Sequence, residues 1–155
     1  MENPKERRVL CVCFGNSCRS PMIQGLARQV FNEACMGHIK FESAGTSKEF
    51  ASKGVPATDK SVIAMNAHSI DISKHINRYA GDLQLSGFDL FLTTGQDIND
   101  SLIELGVLPD KIMVVGGANG IPNPWQKDQD AYSECAEAIR GWLNTNTWKI
   151  VSKVF

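Results

Sequence analysis

Short apolar runs of strand length alternate with helical patterns along this chain, and this alternation limits the possible folds more than any other feature. The apolar runs are residues 8–12, 39–43, 88–93 and 111–115. After each run, apolar residues recur with the spacing of an amphipathic helix, beginning near residues 21, 58, 98 and 132. Strands and helices in alternation are typical of an α/β fold with a central parallel sheet.

The composition is that of an ordinary single domain. The chain has 155 residues, of which 43% are hydrophobic and 21% are charged, so it can bury a substantial core. Its 16 basic and 17 acidic residues give a net charge of −1, and we therefore expect no nucleic-acid partner and no binding to a charged membrane surface. No apolar stretch approaches the roughly 20 residues of a membrane span. The charged first eight residues do not resemble a signal peptide.

The cysteines follow no pattern typical of a disulfide framework or a zinc site. There are five, an odd number, at Cys11, Cys13, Cys18, Cys35 and Cys135. This usage predicts a reduced, cytoplasmic protein that holds no metal.

The segment between the first strand and the first helix is placed for chemistry. Ligands of parallel sheets bind beyond the carboxyl ends of the strands, and Cys13 is predicted to end the first strand just before the helix that starts at Ser20-Pro21. A tight turn here would direct several backbone N–H groups into one concavity at a helix N-terminus, which is an anion site. Gly15 and Asn16 tolerate the backbone angles of such a turn.

Two side chains of this turn fit covalent phosphoryl transfer. Arg19 presents a planar fork that can bind two phosphoryl oxygens, and the positive surroundings favour the thiolate form of Cys13, a nucleophile towards a bound phosphate. Ser20 could bind the sulfur and stabilise it as a leaving group. The alternative is that Cys13 is a small buried hydrophobic residue and Arg19 an exposed helix residue. The strand, turn and helix signals together favour the chemical interpretation.

Residues 12–21, VCFGNSCRSP, resemble the signature V-C-x-G-N-x-C-R-S-P of the low-molecular-weight protein tyrosine phosphatases. Four further segments resemble that family, so that the resemblance covers roughly residues 7 to 143. They are SAGT at 43–46, IDISKH at 70–75, FDLFL at 88–92 and IPNPW at 121–125.

The resemblance implies an architecture and a set of site residues. The fold would be one domain over residues 1–155, with a core at 7–143 and a tail at 144–155. A four-stranded parallel sheet would carry helices on both faces, and the phosphate-binding loop would lie between strand one and helix one. The nucleophile would be Cys13, with Asn16 and Ser20 supporting the loop and the thiolate. Phosphate would be bound by Phe14, Gly15, Asn16, Ser17, Cys18 and Arg19.

The resemblance also implies the reaction and its partners. The protein would hydrolyse a phosphotyrosine protein or a small aryl phosphate as a monomer, without a cofactor. Cys18 would be a neighbouring thiol able to form a disulfide with Cys13 on oxidation.

The acid position departs from the family pattern. The family has an aspartate before its Pro-Trp or Pro-Tyr pair, and this chain has Asn123. An amide has no proton to transfer at useful pH, so catalysis by a general acid is predicted to be weakened or absent. Asp128 and Asp130 lie just downstream. We expect them to cap the last helix, and the alternative is that one of them replaces the missing acid.

Other features of the site are open on sequence alone. Trp125 fits either a wall of the substrate pocket or the core, and Phe50 is a second candidate wall. The apolar tail fits packing on the domain or docking of a partner.

Two further functions are consistent with the loop. The first is a phosphatase-like module that binds phosphotyrosine or phosphate with little turnover, because Asn123 replaces the acid. The second is a thiol-linked arsenate reductase, which shares the C-x-G-N-S-C-R-S loop. That reaction needs a further cysteine pair near residues 80–95, and this chain has no cysteine between Cys35 and Cys135.

Overall fold

The computed structural model describes residues 4–155, which form an α/β fold. The strands are β1 (Arg7–Cys13), β2 (Ile39–Gly45), β3 (Leu90–Thr93) and β4 (Ile112–Val114). The helices are α1 (Arg19–Glu33), α2 (Lys48–Ala51), α3 (Asp59–Asn66), α4 (Gln96–Glu104) and α5 (Gln129–Val154). Single 3-10 turns lie at 80–82, 85–87, 109–111 and 117–119.

The strands of the described residues form one parallel sheet in the order β2-β1-β3-β4. Cys13, the last residue of β1, lies opposite Gly45, the last residue of β2. The carboxyl ends of these two strands therefore meet at the edge where a parallel sheet binds its ligands. The predicted parallel sheet is confirmed.

Alternate residues of β1 face two separate hydrophobic layers, as the pleat of a strand requires. Val9 and Cys11 pack in the layer beneath α1, α3 and α5, whereas Leu10 and Val12 face α4 and the segment around residues 80–88. Helices thus cover both faces of the sheet, as expected. Within residues 4–155, none of the helices combines the length and apolar character of a membrane span.

The start of the third strand differs from the sequence-based prediction for a clear physical reason. Strand β3 begins at Leu90 rather than residue 88, because Phe88 closes a turn on Leu85 and the Asp89 carboxylate accepts a hydrogen bond from the Arg8 N–H at 2.9 Å. These contacts turn the chain before it joins the sheet.

The segment predicted as a tail at 144–155 continues the last helix. Helix α5 runs without interruption to Val154, and its final turns pack on the domain through the buried side chains of Ile150 and Val154. Phe155 lies under the Arg7 guanidinium, 4.7 Å from its ring centroid. The helix continues because apolar residues keep the helical spacing beyond Leu143, so the packing alternative describes this segment.

Candidate active site

The phosphate loop, residues 13–19, joins β1 to α1 through one residue in the left-handed region. Asn16 has a φ of 56°, which asparagine tolerates better than most residues. This conformation turns its backbone N–H towards Cys13, and the N–H donates to Sγ at 3.3 Å. The sulfur therefore lies inside the turn of the loop.

The side chain of Asn16 is fully buried and fixes the shape of the loop. Its Nδ2 donates to the Ser20 Oγ at 2.7 Å and to the Ser43 Oγ at 3.0 Å. Its Oδ1 accepts from the Arg78 N–H at 3.0 Å. A buried amide with donors and acceptor satisfied stabilises one loop conformation, which is the support that the resemblance implies for this residue.

The Cys13 thiol is buried at the base of the loop and contacts Ser20. Its Sγ lies 3.0 Å from the Ser20 Oγ. The absence of a side chain at Gly45 lets the phosphate loop and α2 pack closely against the end of β2. A Cβ at this position would lie 2.6 Å from the Phe14 carbonyl oxygen and 2.8 Å from the Ala51 Cβ. Ser20 thus lies where its predicted contact with the sulfur requires it.

Arg19 is 8% exposed, so its alternative interpretation as an exposed helix residue is wrong. Its Nη1 donates to the Ile121 carbonyl at 2.9 Å. Its buried Nε has no hydrogen-bond partner among residues 4–155. An unsatisfied buried guanidinium N–H is costly, and a bound anion beside it would supply the missing acceptor.

Cys18 occupies the N-cap position of α1. It forms no disulfide with Cys13 in this structure, and all five cysteines within residues 4–155 are free thiols. Its Sγ lies 3.6 Å from the Thr58 Oγ1 and 3.7 Å from the Tyr132 hydroxyl. Its predicted role as a redox partner stays a prediction.

Two other cysteines, Cys11 and Cys135, are unreactive because they are buried. Burial raises the pKa of the Cys135 thiol to about 12 and raises the pKa of Cys11 well above its ordinary value. Both thiols therefore stay protonated and unreactive at neutral pH. This separates them from Cys13, which lines an open pocket.

A cavity of about 260 Å³ opens above the loop. The aromatic side chains of Phe14, Phe50 and Trp125 are 47%, 43% and 53% exposed and form its walls. The Phe14 and Phe50 ring centroids are 5.7 Å apart. The core alternative for Trp125 is wrong, because its ring faces the pocket and solvent. The remaining lining residues are Cys13, Gly15, Ser17, Cys18, Arg19 and Asn123.

Asn123 lies at the rim of this pocket on the loop that follows β4. Its Oδ1 accepts from the Trp125 N–H at 3.1 Å, a side-chain turn that asparagine and aspartate both form. The loop is fastened to the end of β3 by the Ile121 N–H, which donates to the Thr94 carbonyl at 3.0 Å. The residue at the acid position is therefore held at the pocket by local and long-range bonds.

The downstream carboxylates lie away from this pocket. Asp128 is the N-cap of α5, and its Oδ1 accepts from the Ala131 N–H at 3.0 Å. Asp130 lies exposed in the first turn of the same helix. The expected capping role is confirmed for Asp128. Neither carboxylate is among the described residues that line the cavity.

His75 supports the loop from below. Its Nε2 lies 2.8 Å from the Asn16 carbonyl oxygen, so the neutral ring donates to that carbonyl. Burial lowers the pKa of His75 below its ordinary value, although the hydrogen bond to Asn16 opposes the shift.

The lowered pKa of His75 makes the free energy of unfolding depend on pH. The unfolded chain binds a proton at His75 more readily than the native protein does. The contribution of His75 to the free energy of unfolding is therefore fully present above about pH 6.5, the ordinary pKa of histidine, and is lost as the pH falls below that value. We expect urea unfolding to show a smaller loss of stability across this range in His75→Gln than in wild type. Identical pH dependence in the two proteins would contradict this role.

Sequence reasoning missed the residues that hold the loop from outside. Ser43, Asn77 and Arg78 bond the phosphate loop or its Asn16 side chain across 27 to 62 residues of chain. Ser43 lies in the SAGT segment that resembles the family, and this was the only sequence signal for its role. The spacing of Asn77 and Arg78 in the sequence did not indicate a contact with the loop.

The family model for low molecular weight phosphotyrosine protein phosphatases matches residues 8–151. The chain belongs to this family. A low molecular weight protein-tyrosine-phosphatase, Ptp, from Acinetobacter johnsonii is 30% identical over 137 residues, covering 86% of this chain and 91% of the relative. Wzb of Escherichia coli K12, a phosphatase of the same description, is 30% identical over 129 residues and covers 81% and 82%.

Solved structures share the fold of this chain. The low molecular weight protein tyrosine phosphatase from T. tengcongensis has a TM-score of 0.82 and 31% identity, covering 93% of this chain and 99% of that one. YwlE arginine phosphatase from Geobacillus stearothermophilus has a TM-score of 0.79 and 21% identity, covering 95% and 94%. The second likeness shows the fold alone. The sequence-based assignment to the family and its fold is confirmed.

Proposed function

We propose that this protein hydrolyses phosphotyrosine and other aryl phosphate monoesters through a phosphocysteine at Cys13, without a general acid from its own side chains. One observation carries the proposal. The buried Nε of Arg19 has no partner within residues 4–155, and Arg19 lines the same pocket as Cys13. A phosphoryl group would satisfy this N–H while presenting phosphorus to the thiolate.

In the first step the Cys13 sulfur attacks phosphorus. A phosphorus–sulfur bond forms and the phosphorus–oxygen bond to the aryl group breaks, with the electron pair leaving on oxygen. The Asn123 amide can donate a hydrogen bond to this oxygen through Nδ2, since its Oδ1 is bonded to the Trp125 N–H. It keeps its protons, so the phenolate takes a proton from water after it departs.

In the second step water attacks phosphorus and the phosphorus–sulfur bond breaks. The sulfur leaves as a thiolate, and inorganic phosphate is released with the protons of the attacking water shared between phosphate and solvent. The Ser20 hydroxyl at 3.0 Å and the Asn16 N–H at 3.3 Å stabilise the negative charge on sulfur. This step also lacks a protein carboxylate to accept the proton of water.

The pocket walls support an aromatic substrate. Three aromatic side chains rise above the phosphate loop, and aromatic pairs with centroids 4.5 to 7 Å apart contribute about 0.5–1.5 kcal/mol beyond the area they bury. None of the described residues lining the pocket carries a carboxylate that would pair with a guanidinium. These features favour phosphotyrosine over phosphoarginine, the substrate class indicated by the name of the YwlE structures.

A second candidate function is phosphotyrosine binding with little turnover. The amide at position 123 favours it, because binding of the phosphoryl group needs only Arg19 and the loop, whereas release of a poor leaving group needs a proton. In that case, the protein would hold a phosphopeptide in the same pocket.

The experiment that tests the proposal is a series of aryl phosphates whose leaving phenols decrease in acidity. We expect kcat/KM, which reports the step in which the phenol leaves, to fall steeply along the series. Phosphotyrosine peptide should lie at its slow end, since the phenolate must leave unprotonated. Phosphoserine peptide and phosphoarginine complete the panel. A flat dependence on the leaving group would show that another acid operates, and a preference for phosphoarginine would overturn the substrate class.

A further inference from the structure

A buried amide outside the pocket ties one pocket wall to the phosphate loop. Asn77 is 5% exposed and lies in the segment that follows His75. Its Nδ2 donates to the Gly15 carbonyl at 3.2 Å and to the Phe50 carbonyl at 2.8 Å. One side-chain nitrogen thus bonds the phosphate loop and the short helix α2 at the same time.

The remaining polar atoms of Asn77 fasten the chain beyond α2. Its Oδ1 accepts from the Val55 N–H at 2.9 Å, and its backbone N–H donates to the Val55 carbonyl at 2.8 Å. Every hydrogen-bonding direction of the side chain is therefore used on backbone groups of other segments. Such an amide fixes the relative positions of the segments that it joins.

The Phe50 wall has other attachments at the start of α2, where the Ser47 N–H donates to the Phe14 carbonyl at 3.0 Å, and the Phe50 ring packs beside Phe14. Asn77 supplies the attachment at the other end of the helix. Helix α2 is only four residues long, and a helix of that length has no stability of its own. Within it, the Ser47 Oγ accepts from the Phe50 N–H at 3.1 Å, and the Ala51 side chain is buried. The Phe50 carbonyl, one of the unpaired carbonyls at the end of the helix, is satisfied by Asn77.

We propose that Asn77 is a positioning residue that sets the specificity of the pocket for aromatic leaving groups. By binding the Gly15 and Phe50 carbonyls with one nitrogen, it holds the Phe50 ring at a fixed distance from the phosphate site. The proposal rests on the aryl phosphatase function proposed above. Asn77 is not among the described residues that line the pocket, and it acts through Phe50.

This arrangement separates two parts of substrate binding. The phosphoryl group is bound by Arg19 and the loop amides. Asn77 bonds this loop at the Gly15 carbonyl, and the loop keeps the separate bonds of the Asn16 side chain and backbone when the Asn77 amide is lost. The aromatic ring is bound by the walls, of which Phe50 depends on Asn77. Loss of the Asn77 amide is expected to weaken ring binding and leave phosphate binding in place.

The test compares KM for p-nitrophenyl phosphate with the inhibition constant of inorganic phosphate. In Asn77→Ala we expect KM to rise about three- to tenfold, the value of one aromatic contact, with kcat and the inhibition constant of phosphate within about twofold of wild type. Asn77→Asp keeps the acceptor for the Val55 N–H but loses both donors. Asn77→Asp should give the same increase in KM, so it tests the role of the amide donors even if the alanine variant does not fold.

A double-mutant cycle with Phe50→Ala identifies the route of the effect. If Asn77 acts through Phe50, Asn77→Ala raises KM in the wild-type background and leaves it unchanged in the Phe50→Ala background. Ile76→Ala, an exposed change in the same segment, is the matched control and should leave both constants unaltered. A purely structural role for Asn77 would give additive effects instead.

The outcomes separate this inference from the proposed function. Parallel changes in KM and in the phosphate constant, additive effects in the cycle, or no change at all would each overturn the role of Asn77. A wild-type protein that binds phosphotyrosine peptide without turnover would overturn the phosphatase proposal alone. The Asn77→Ala and Phe50→Ala cycle is then measured through the dissociation constants of the peptide and of inorganic phosphate. We again expect Asn77→Ala to weaken peptide binding only when Phe50 is present and to leave phosphate binding unchanged.

Discussion

Replacing Asn123 by aspartate is expected to increase kcat for phosphotyrosine peptide by about 10² to 10⁴, the range typical of general acid catalysis. The gain should shrink for an activated aryl phosphate, because a good leaving group departs without protonation. Asn123 lies at the pocket rim, so a carboxyl group there would reach the leaving oxygen that the amide only contacts. Measuring kcat for both substrates across pH tests this, and the variant should lose its gain at high pH as the acid ionises.

The local structure allows this change. Asn123 is exposed, and the hydrogen bond between its Oδ1 and the Trp125 N–H is one that an aspartate side chain also makes. Asn119→Asp is the matched control, since it adds the same charge to an exposed position earlier in the loop that does not line the pocket. Equal kcat in wild type and Asn123→Asp would contradict the assignment of position 123 to the acid site.

Replacing Cys13 by serine is expected to reduce turnover on every substrate by a factor on the order of 10⁶, as removal of a nucleophile does in other enzymes with covalent intermediates. A serine hydroxyl is nearly the size of the thiol but stays protonated, so it attacks phosphorus far more slowly than a thiolate and leaves poorly from its phosphate ester. Phosphate binding should survive, because Arg19 and the loop amides are unchanged.

Steady-state assays and titration with inorganic phosphate measure the two parts of this prediction. Cys35→Ser is the matched control, because this thiol is exposed and far along the chain from the phosphate loop. Rapid acid quenching within the first turnover should trap a phosphorylated protein in wild type that Cys13→Ser does not form on that timescale. Retained turnover in Cys13→Ser would contradict the phosphocysteine mechanism.

The same variants decide between the two candidate functions. A wild-type protein that is inert on activated aryl phosphates but binds phosphotyrosine peptide would support the binding module. Binding should then disappear in Arg19→Ala, since the guanidinium is the main positive group in the pocket. Turnover that is slow in wild type and restored by Asn123→Asp would instead show an enzyme limited by its missing acid.

Much of the site was predictable because its chemistry is contiguous in the sequence. The residues from Cys13 to Ser20 supply the nucleophile, the turn and the guanidinium, and the apolar run before them and the helical pattern after them place that turn at the end of a strand. Such short-range sequence patterns reflect the local backbone geometry of a strand, a turn and a helix, so they can be interpreted without knowledge of distant contacts. The capping role of Asp128 was predictable for the same reason.

The prediction was less accurate where a distant contact overrides the local pattern. Residues 88–89 look like part of a strand, but Asp89 bonds the Arg8 backbone and the sheet begins at Leu90. Trp125 fits a core or a wall equally well by composition. Long-range bonds of Ile121 with Thr94 and Arg19 direct this segment over the pocket.

The α/β fold, the phosphate loop with Cys13 and Arg19, and the amide at the acid position all follow from the sequence. Which distant groups hold that loop and its walls is visible only in the folded structure. Asn77 lies 62 residues from Gly15 and 27 from Phe50, in a segment without helical or strand periodicity. Hydrogen bonds between loops have no period in the chain, so they become visible only when the packed sheet and helices bring the loops together.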